Sequence, residues 1–255
     1  MLFAFVLLRD QAPPSLTRIA ASLAKWEIAS DPAEGSQETD DGPLRFELDP
    51  GALTILHAPA PVPNGEADAA AGFSLGRFGT GPEWAPHRTH LMVALTSGDS
   101  PDLDTLTFFT QAVAAVAEAV NATGVYWGAG NVAHEASFFV EMADTELPLM
   151  LWSGVSLERG ETELSLLTTG LRQFGLPELC IKAPSTRGNE ALSCLFDIGG
   201  YVVRRGRPLP EGDTIGRTAT EKLPVSSEIS PFDATARITV LTMPADEGRR
   251  TDRTP

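Results

Sequence analysis

The stretch from Gly124 to Phe139, GVYWGAGNVAHEASFF, constrains the fold of this chain more than any other. It follows the most regular helical pattern in the sequence and sets three glycines around a Tyr-Trp pair. Glycine permits sharp turns and close approaches between backbones, so we expect the chain to change direction here. The same stretch contains an Asn, a His and a Glu, which makes it the first candidate for a functional site.

Apolar periodicity along the chain predicts an α+β fold, with mixed or mostly antiparallel sheets and packed helices. A strand over 2–8, a helix over 15–26 and a hairpin of 45–48 with 52–57 form a β-α-β-β series. This series is the opening of a ferredoxin-like unit. Further along, the pattern predicts strands over 89–96, 125–127, 149–157, 163–168, 178–183, 213–220 and 236–243, and helices over 102–121, 132–142 and 189–205.

Turn-forming and charged segments suggest how the chain is divided. We predict an N-terminal β-α-β-β unit at 1–63, an irregular connection at 64–87 and a main α+β domain at 88–243. Residues 244–255 are polar and are predicted to be a disordered tail. With 255 residues, of which 42% are hydrophobic, the chain is long enough to bury a sizeable core.

The charge balance limits the partners that we expect. The net charge is −15, from 34 acidic and 19 Lys or Arg residues. Such an excess repels phosphate backbones, so we expect no nucleic-acid binding. The short basic cluster Arg204, Arg205 and Arg207 closes a predicted helix, where cations complement the helix dipole; an anion site is the alternative.

The N-terminus and the cysteines indicate a compartment. Met1 to Leu8 is apolar but too short to span a membrane, and it lacks the features of a signal peptide. We expect a soluble cytoplasmic protein with no membrane contact. Cys180 and Cys194 are then expected to be buried, reduced thiols; a disulfide is the alternative.

Gly128, Gly130 and Ala133 match the G-x-G-x-x-A form of a dinucleotide-binding fingerprint. The predicted strand before the motif has only three residues, and no clear acidic residue follows to hold a ribose. We favour a glycine-rich turn in which Asn131 caps a helix. No motif indicates a cofactor, and none is expected.

Four histidines are scattered along the chain, and three of them are weak candidates for metal ligands: His87, His90 and His134. The segment HEASF lacks the second histidine of a zinc protease motif. Hydrogen-bonded structural histidines are the favoured interpretation. A candidate pocket is nevertheless defined by the residues Tyr126, Trp127, Asn131, His134 and Glu135, with His134 as base or metal ligand and Glu135 orienting it.

Two other groups have alternative interpretations. The aromatic residues Trp84 and Trp152, with the Tyr126–Trp127 pair, either line a ligand pocket or anchor the core, and the core is favoured. The segment 185–188, STRG, precedes a predicted helix and suits either an anion site or a helix cap. No motif of a known catalytic class is present, so whether the protein is an enzyme stays open.

Several motifs follow one another along the chain: HRTHL at 87–91, TGVYWGAG at 123–130 with His134 and Phe138, LW at 151–152, TTGLRQFGLPEL at 168–179, and the helix 189–206 with Tyr201. In this order they resemble a bacterial family known as domain of unknown function 4261. Cys180 and Lys182 stand where the family would have an acidic strand. The resemblance implies an uncharacterised α+β bacterial protein, and it carries no reaction, cofactor or catalytic residue.

These observations favour a non-enzymatic role in protein–protein interaction, as an adaptor or immunity-type protein whose acidic surface captures a basic partner. The alternative is a small-ligand or metal-binding enzyme with a pocket around Trp127, Asn131, His134 and Glu135.

Overall fold

The computed structural model describes residues 1–9, 14–32, 42–75, 87–98 and 102–245. In it the chain forms two units, Met1–Gly154 and Val155–Pro255. This division differs from the one that we predicted at residues 63 and 87. Trp84, most of the acidic segment 30–43 and most of the predicted tail fall outside the described residues.

The first unit contains a seven-stranded sheet and five helices among its described residues. The strands are β1 (Leu2–Leu8), β2 (Asp31–Pro32), β3 (Leu44–Glu47), β4 (Gly51–Ala58), β5 (Thr89–Ser97), β6 (Gly124–Trp127) and β7 (Val132–Glu135). The helices are α1 (Leu16–Lys25), α2 (Glu66–Ala70), α3 (Leu103–Ala119), α4 (Ala136–Met142) and α5 (Leu149–Trp152).

The strand order β2-β3-β4-β5-β1-β6-β7 contains a ferredoxin-like arrangement. Every neighbouring pair is antiparallel. Strands β1 and β4 therefore run in the same direction on either side of β5, and α1 lies between them in the chain. Strands β5 and β6 likewise run in the same direction on either side of β1, and α3 lies between them in the chain. The predicted β-α-β-β opening supplies β1, α1 and β4 to this arrangement, but its third strand is β5, beyond the predicted hairpin, and β3 lies outside it, paired with β4.

The two long helices of this unit begin at side-chain caps, as their sequences predict. The hydroxyl of Ser15 accepts from the backbone of Arg18, and the carboxylate of Asp102 accepts from that of Thr105. Helices α1 and α3 pack against each other, and α3 contacts β1. Phe109 of α3 is fully buried in the core.

The second unit contains a six-stranded sheet, of order β11-β12-β13-β10-β9-β8. Its elements are β8 (Gly154–Arg159), β9 (Glu163–Thr169), β10 (Leu179–Pro184), α6 (Gly188–Arg205), β11 (Thr214–Ile215), β12 (Leu223–Ile229) and β13 (Arg237–Thr242). Strands β10 and β13 are parallel, and the other pairs with a recorded register are antiparallel. Helix α6 packs on β9 and β10 and ends at Gly206, whose φ is 65°. The arginines before this glycine lie in the last turn, as the dipole argument predicts.

Several elements differ from the sequence-based expectation, including the two-residue strand β2, which was not predicted. The predicted helix over 132–142 is wrong in its first part, where β7 forms before α4. The predicted strand over 149–157 begins instead as the short helix α5. Helix α2 lies in the region expected to be irregular, and β12 was not predicted.

The α+β fold class, with mostly antiparallel sheets, is confirmed. Within the described part of the chain, no helix combines the length and apolar character that crossing a membrane requires.

Candidate functional site

The glycine-rich stretch forms a β-hairpin corner. Strands β6 and β7 pair from Gly124 with Glu135 to Trp127 with Val132, and one helical turn over Gly128–Gly130 joins them. Asn131 closes the turn with φ 48°, in the left-handed region that asparagine tolerates. A dinucleotide fingerprint requires a strand, a turn and then a helix, so this strand-turn-strand geometry lacks the context of that motif.

Gly130 shows why the corner needs glycine. A Cβ atom at this position would lie 2.0 Å from the carbonyl oxygen of Trp152. The turn therefore packs backbone against backbone beneath α5. Trp152 is itself buried, and its indole nitrogen donates to the hydroxyl of Thr110 at 2.8 Å.

The five residues of the predicted pocket do not share one face of the sheet. Tyr126 stacks on Phe5, with ring centroids 5.6 Å apart. Trp127 lies on the opposite face of the sheet, where its ring is 5.5 Å from that of Phe109. Asn131 is exposed, and Glu135 is partly buried at the start of α4. The two aromatic residues therefore anchor two different sides of the sheet.

His134 is fully buried and pairs with a residue that the sequence analysis did not select. Its Nδ1 lies 2.7 Å from the hydroxyl of Ser74. Burial lowers the pKa of His134 to about 4, although the nearby backbone of Met150 and Leu151 acts in the opposite direction. The imidazole is thus neutral at pH 7. Strand alternation turns the side chain of Glu135 away from His134.

The pair of Ser74 and His134 has the atoms of a nucleophile and its base, but its burial separates both from solvent. Ser74 follows a single helical turn, Ala71–Phe73. No local motif marks this serine, since it meets His134 only through the fold. A contact between residues sixty positions apart is not readable from one sequence.

His87 and His90 bind the backbone of the segment after β4. Nε2 of His87 accepts from the backbone nitrogen of Val62 at 2.8 Å, and Nδ1 of His90 donates to the carbonyl of Ala60 at 2.8 Å. Burial lowers the pKa of both rings, while Asp68, 3.8 Å from Nδ1 of His87, raises that of His87. Within the described ranges, no group of three or more His, Cys, Asp or Glu residues is arranged to hold a metal ion.

The cysteines are unbridged. Cys180 in β10 and Cys194 in α6 are buried, and burial raises the pKa of each thiol to about 11. Thiols of this kind are poor nucleophiles at neutral pH. Both residues therefore match the expectation of reduced, buried cysteines.

The motif TTGLRQFGLPEL folds around one carboxylate. Glu178 is buried and accepts hydrogen bonds from the hydroxyl of Thr168 and the backbone nitrogens of Gly170, Leu171 and Arg172. Gly170 has φ 120°, a conformation that favours glycine. The most specific motif in the chain thus serves to shape the loop between β9 and β10.

The segment before α6 supplies no side-chain cap to that helix. The hydroxyl of Ser185 instead donates to the carbonyl of Gly160, and Arg187 forms an ion pair with Glu190. The predicted capping role is therefore wrong, since no side chain of this segment caps α6.

The second unit offers a pocket that the sequence analysis did not predict. We call it the sheet-face pocket; its volume is about 420 Å³. Its lining comes from four strands, β8, β9, β10 and β13, from the end of β12, and from the turn after β12. The lining residues are Ser156, Glu158, Ser165, Leu167, Cys180, Lys182, Glu228, Ile229, Pro231, Phe232 and Ile238.

The sheet-face pocket has an apolar floor and a partly charged rim. Leu167 and Cys180 are buried neighbours on paired strands. Phe232 is 61% exposed and Ile229 is 53% exposed. Lys182 is held by the carboxylate of Glu228, at 2.6 and 2.9 Å.

Comparison with known proteins recognises one segment of the chain, which includes most of the residues that line this pocket. Residues 167–241 match the family described as Domain of unknown function (DUF4261). No curated protein and no solved structure matches the chain. The match to DUF4261 supports the resemblance found in the sequence, and it covers β10, α6, β11, β12, the last three residues of β9 and most of β13. The motifs at 87–91, 123–130 and 151–152 lie outside the matched segment.

Proposed function

We propose that this protein acts without catalysis in the bacterial cytoplasm, by binding another protein through the sheet-face pocket. The observation that carries the proposal is the exposure of Ile229 and Phe232 beside a buried apolar floor. Large apolar side chains exposed around a concave surface are typical of interaction sites. Most of the lining residues also belong to the segment that matches DUF4261.

The charge distribution supports a basic partner. Glu228 is neutralised by Lys182, whereas Glu158 on the same rim has no ion pair among the described residues. The chain as a whole carries a net charge of −15. A partner with one apolar side chain for the pocket and Lys or Arg residues beside it would match this surface. Adaptor and immunity-type proteins are the roles that fit such capture.

The alternative, an enzyme with a pocket around Trp127, Asn131, His134 and Glu135, has less support. Trp127 and His134 are enclosed in the core, whereas Asn131 is exposed. A catalytic histidine must reach its substrate, and this one is covered on all sides.

Phe232→Asp tests the proposal, with Tyr201→Asp as the matched control. Both side chains are exposed aromatic residues of the second unit, but Tyr201 does not line the sheet-face pocket. Each untagged variant is isolated gently from its native cell and its mass is measured under native conditions. We expect a discrete protein partner on the wild type and on Tyr201→Asp, and its loss from Phe232→Asp.

A partner retained by Phe232→Asp would contradict the proposed surface. A bare mass for the wild type would contradict the proposed function. Circular dichroism of both variants, with unchanged spectra and melting temperatures, separates loss of binding from loss of folding.

A further inference from the structure

A second cavity of the second unit lies along α6 and has a volume of about 750 Å³. One wall is a line of α6 side chains at one-turn spacing, Asp197, Tyr201 and Arg205. The opposite wall is the chain from Asp213 to Arg217, which includes β11. The volume falls in the range of small-molecule sites, about 300–1,000 Å³. We call this space the helix-side cavity.

Arg217 is already neutralised by carboxylates. Its guanidinium lies 2.8 Å from Glu221, 3.3 Å from Glu190 and 3.8 Å from Asp197. These contacts fix the wall of the cavity, and they leave little capacity in Arg217 or Asp197 for a ligand.

Unlike Arg217 and Asp197, the lining residues Arg205 and Asp213 have no oppositely charged partner among the described residues. The guanidinium of Arg205 lies over the ring of Tyr201, with 5.8 Å from its carbon to the ring centroid, and 3.4 Å from the Tyr201 hydroxyl. Among the described residues, no carboxylate lies within ion-pair distance of Arg205, and no cation lies within that distance of Asp213. The cavity therefore presents one unneutralised cation and one unneutralised carboxylate.

The rest of the lining is largely apolar. It includes Ile198, Leu209, Ile215 and Val225, together with the ring of Tyr201, which is 49% exposed. A ligand that matches the whole cavity carries a carboxylate, an ammonium group and an apolar body. A phosphate dianion is a poorer match, because Asp197 and Asp213 also face the space.

We propose that the helix-side cavity binds an apolar α-amino acid. Arg205 takes the carboxylate, Asp213 takes the ammonium group, and the side chain packs on Ile198 and Ile215. Planar guanidinium groups are well suited to carboxylates, and hydrogen bonds between charged groups are the stronger ones. This inference is independent of the protein-binding proposal, since Ile229 and Phe232 do not line the cavity.

The first experiment is isothermal titration calorimetry of the full chain with leucine, isoleucine, valine, methionine and phenylalanine at millimolar concentrations. We expect saturable binding of at least one of the five at one site per chain. Titration with the amide of the best ligand, which lacks the carboxylate, and with its N-acetyl form, which lacks the ammonium group, should give weaker binding. Absence of saturable binding for all five amino acids would overturn the proposal.

Two variants with matched controls assign the contacts. Arg205→Gln is compared with Arg204→Gln, which removes the same charge one residue away and outside the cavity lining. Asp213→Asn is compared with Glu211→Gln, which removes a nearby carboxylate that also lies outside the lining. We expect Arg205→Gln and Asp213→Asn each to weaken binding by about tenfold or more, and the controls to bind like the wild type.

The ligand analogues separate the two roles. Arg205→Gln should leave binding of the amide unchanged, because the amide has no carboxylate to lose. Asp213→Asn should likewise leave binding of the N-acetyl form unchanged. Equal affinity of the wild type and both variants for the parent amino acid would overturn the assigned site. The variant Phe232→Asp should bind the amino acid normally, so failure of either proposal is distinguishable from failure of the other.

Discussion

The carboxylate of Glu178 accepts a 2.7 Å hydrogen bond from the hydroxyl of Thr168, ten residues earlier in the chain. The same hydroxyl accepts from the backbone nitrogen of Leu179 at 2.9 Å, so Thr168 joins the two ends of the loop. Three backbone nitrogens, those of Gly170, Leu171 and Arg172, complete the shell around the carboxylate. The loop between β9 and β10 is thus folded around the Glu178 carboxylate, which accepts all of these hydrogen bonds and donates none.

Glu178→Gln should destabilise the protein by about 1–3 kcal/mol. The amide nitrogen of glutamine would face the backbone N–H groups that now donate to an oxygen, so at least one buried donor would lose its partner. Unfolding in urea, followed by circular dichroism, measures the change. Glu163→Gln, on an exposed position of β9, is the control and should have the midpoint of the wild type. Equal midpoints for the two variants would contradict this role of Glu178.

His134 should make stability depend on pH. Its folded pKa, about 4, lies below the ordinary value of 6.5, so between these values the unfolded chain binds a proton that the folded chain does not. The free energy of unfolding therefore falls as the pH falls through this window, by up to about 3 kcal/mol from this group.

The test is the difference in unfolding free energy between pH 7 and pH 5, measured for the wild type and for His134→Gln. We expect the variant to lose about 2 kcal/mol less than the wild type over this interval. Ser74→Ala is the control: it removes the hydroxyl bonded to Nδ1 but keeps the buried ring, so it should retain the pH dependence. The same pH dependence in His134→Gln and the wild type would show that His134 does not cause it.

Gly130→Ala should destabilise the hairpin corner by about 1–3 kcal/mol or more, because the new Cβ would overlap the Trp152 carbonyl. Gly128→Ala is the matched control from the same turn, since its Cβ would meet Phe3 at an ordinary distance of 3.6 Å. Thermal unfolding compares the two. A melting temperature of Gly130→Ala that equals that of Gly128→Ala would contradict the close packing of the corner on α5.

Neither cysteine should react quickly in the folded protein. Burial raises the pKa of both thiols to about 11, so little thiolate forms at pH 8, and neither sulfur is open to a bulky reagent. A chromogenic aromatic disulfide should label both thiols rapidly in urea and slowly in buffer. Cys180→Ser and Cys194→Ser assign any labelling to one position. Fast labelling of native Cys194→Ser would place Cys180 in contact with solvent at the sheet-face pocket.

Much of the fold was predictable because its signals are local. Apolar runs and alternation located β1, β4 and β5, and helical spacing located two helices that begin at the capping residues Ser15 and Asp102. The errors have physical causes. The apolar residues from Val132 to Met142 have helical spacing, which predicted a helix. The left-handed conformation at Asn131 reverses the chain direction, so residues 132–135 pair with β6 as an antiparallel strand instead.

Two other elements were missed because their sequences are not typical of their structure. Strand β12 contains Pro224 and adjacent serines, which weaken the apolar alternation, and its pairing with β13 decides its conformation. Helix α2 has only five residues, too few to produce a periodic pattern.

The candidate sites were less predictable than the fold. Phe232 follows a serine and a proline in a turn, and no local pattern marks it as part of a site. It lines a pocket only because the folded sheet supplies the other lining residues. Arg205 and Asp213 are separated by a loop, and the cavity that they share exists only after β11 pairs with β12. Sequence patterns report helices and strands, whereas a cavity depends on how distant elements are placed.

The position of β1 has a consequence for the synthesis of this protein. Strand β1 is an interior strand of its sheet, paired on one side with β5 and on the other with β6, both of which come later in the chain. On the ribosome, the apolar residues from Leu2 to Leu8 emerge long before Trp127, the last residue of β6, is translated. At usual translation rates this delay is on the order of ten seconds, during which β1 lacks at least one of its two neighbouring strands and its apolar residues remain exposed to non-native contacts.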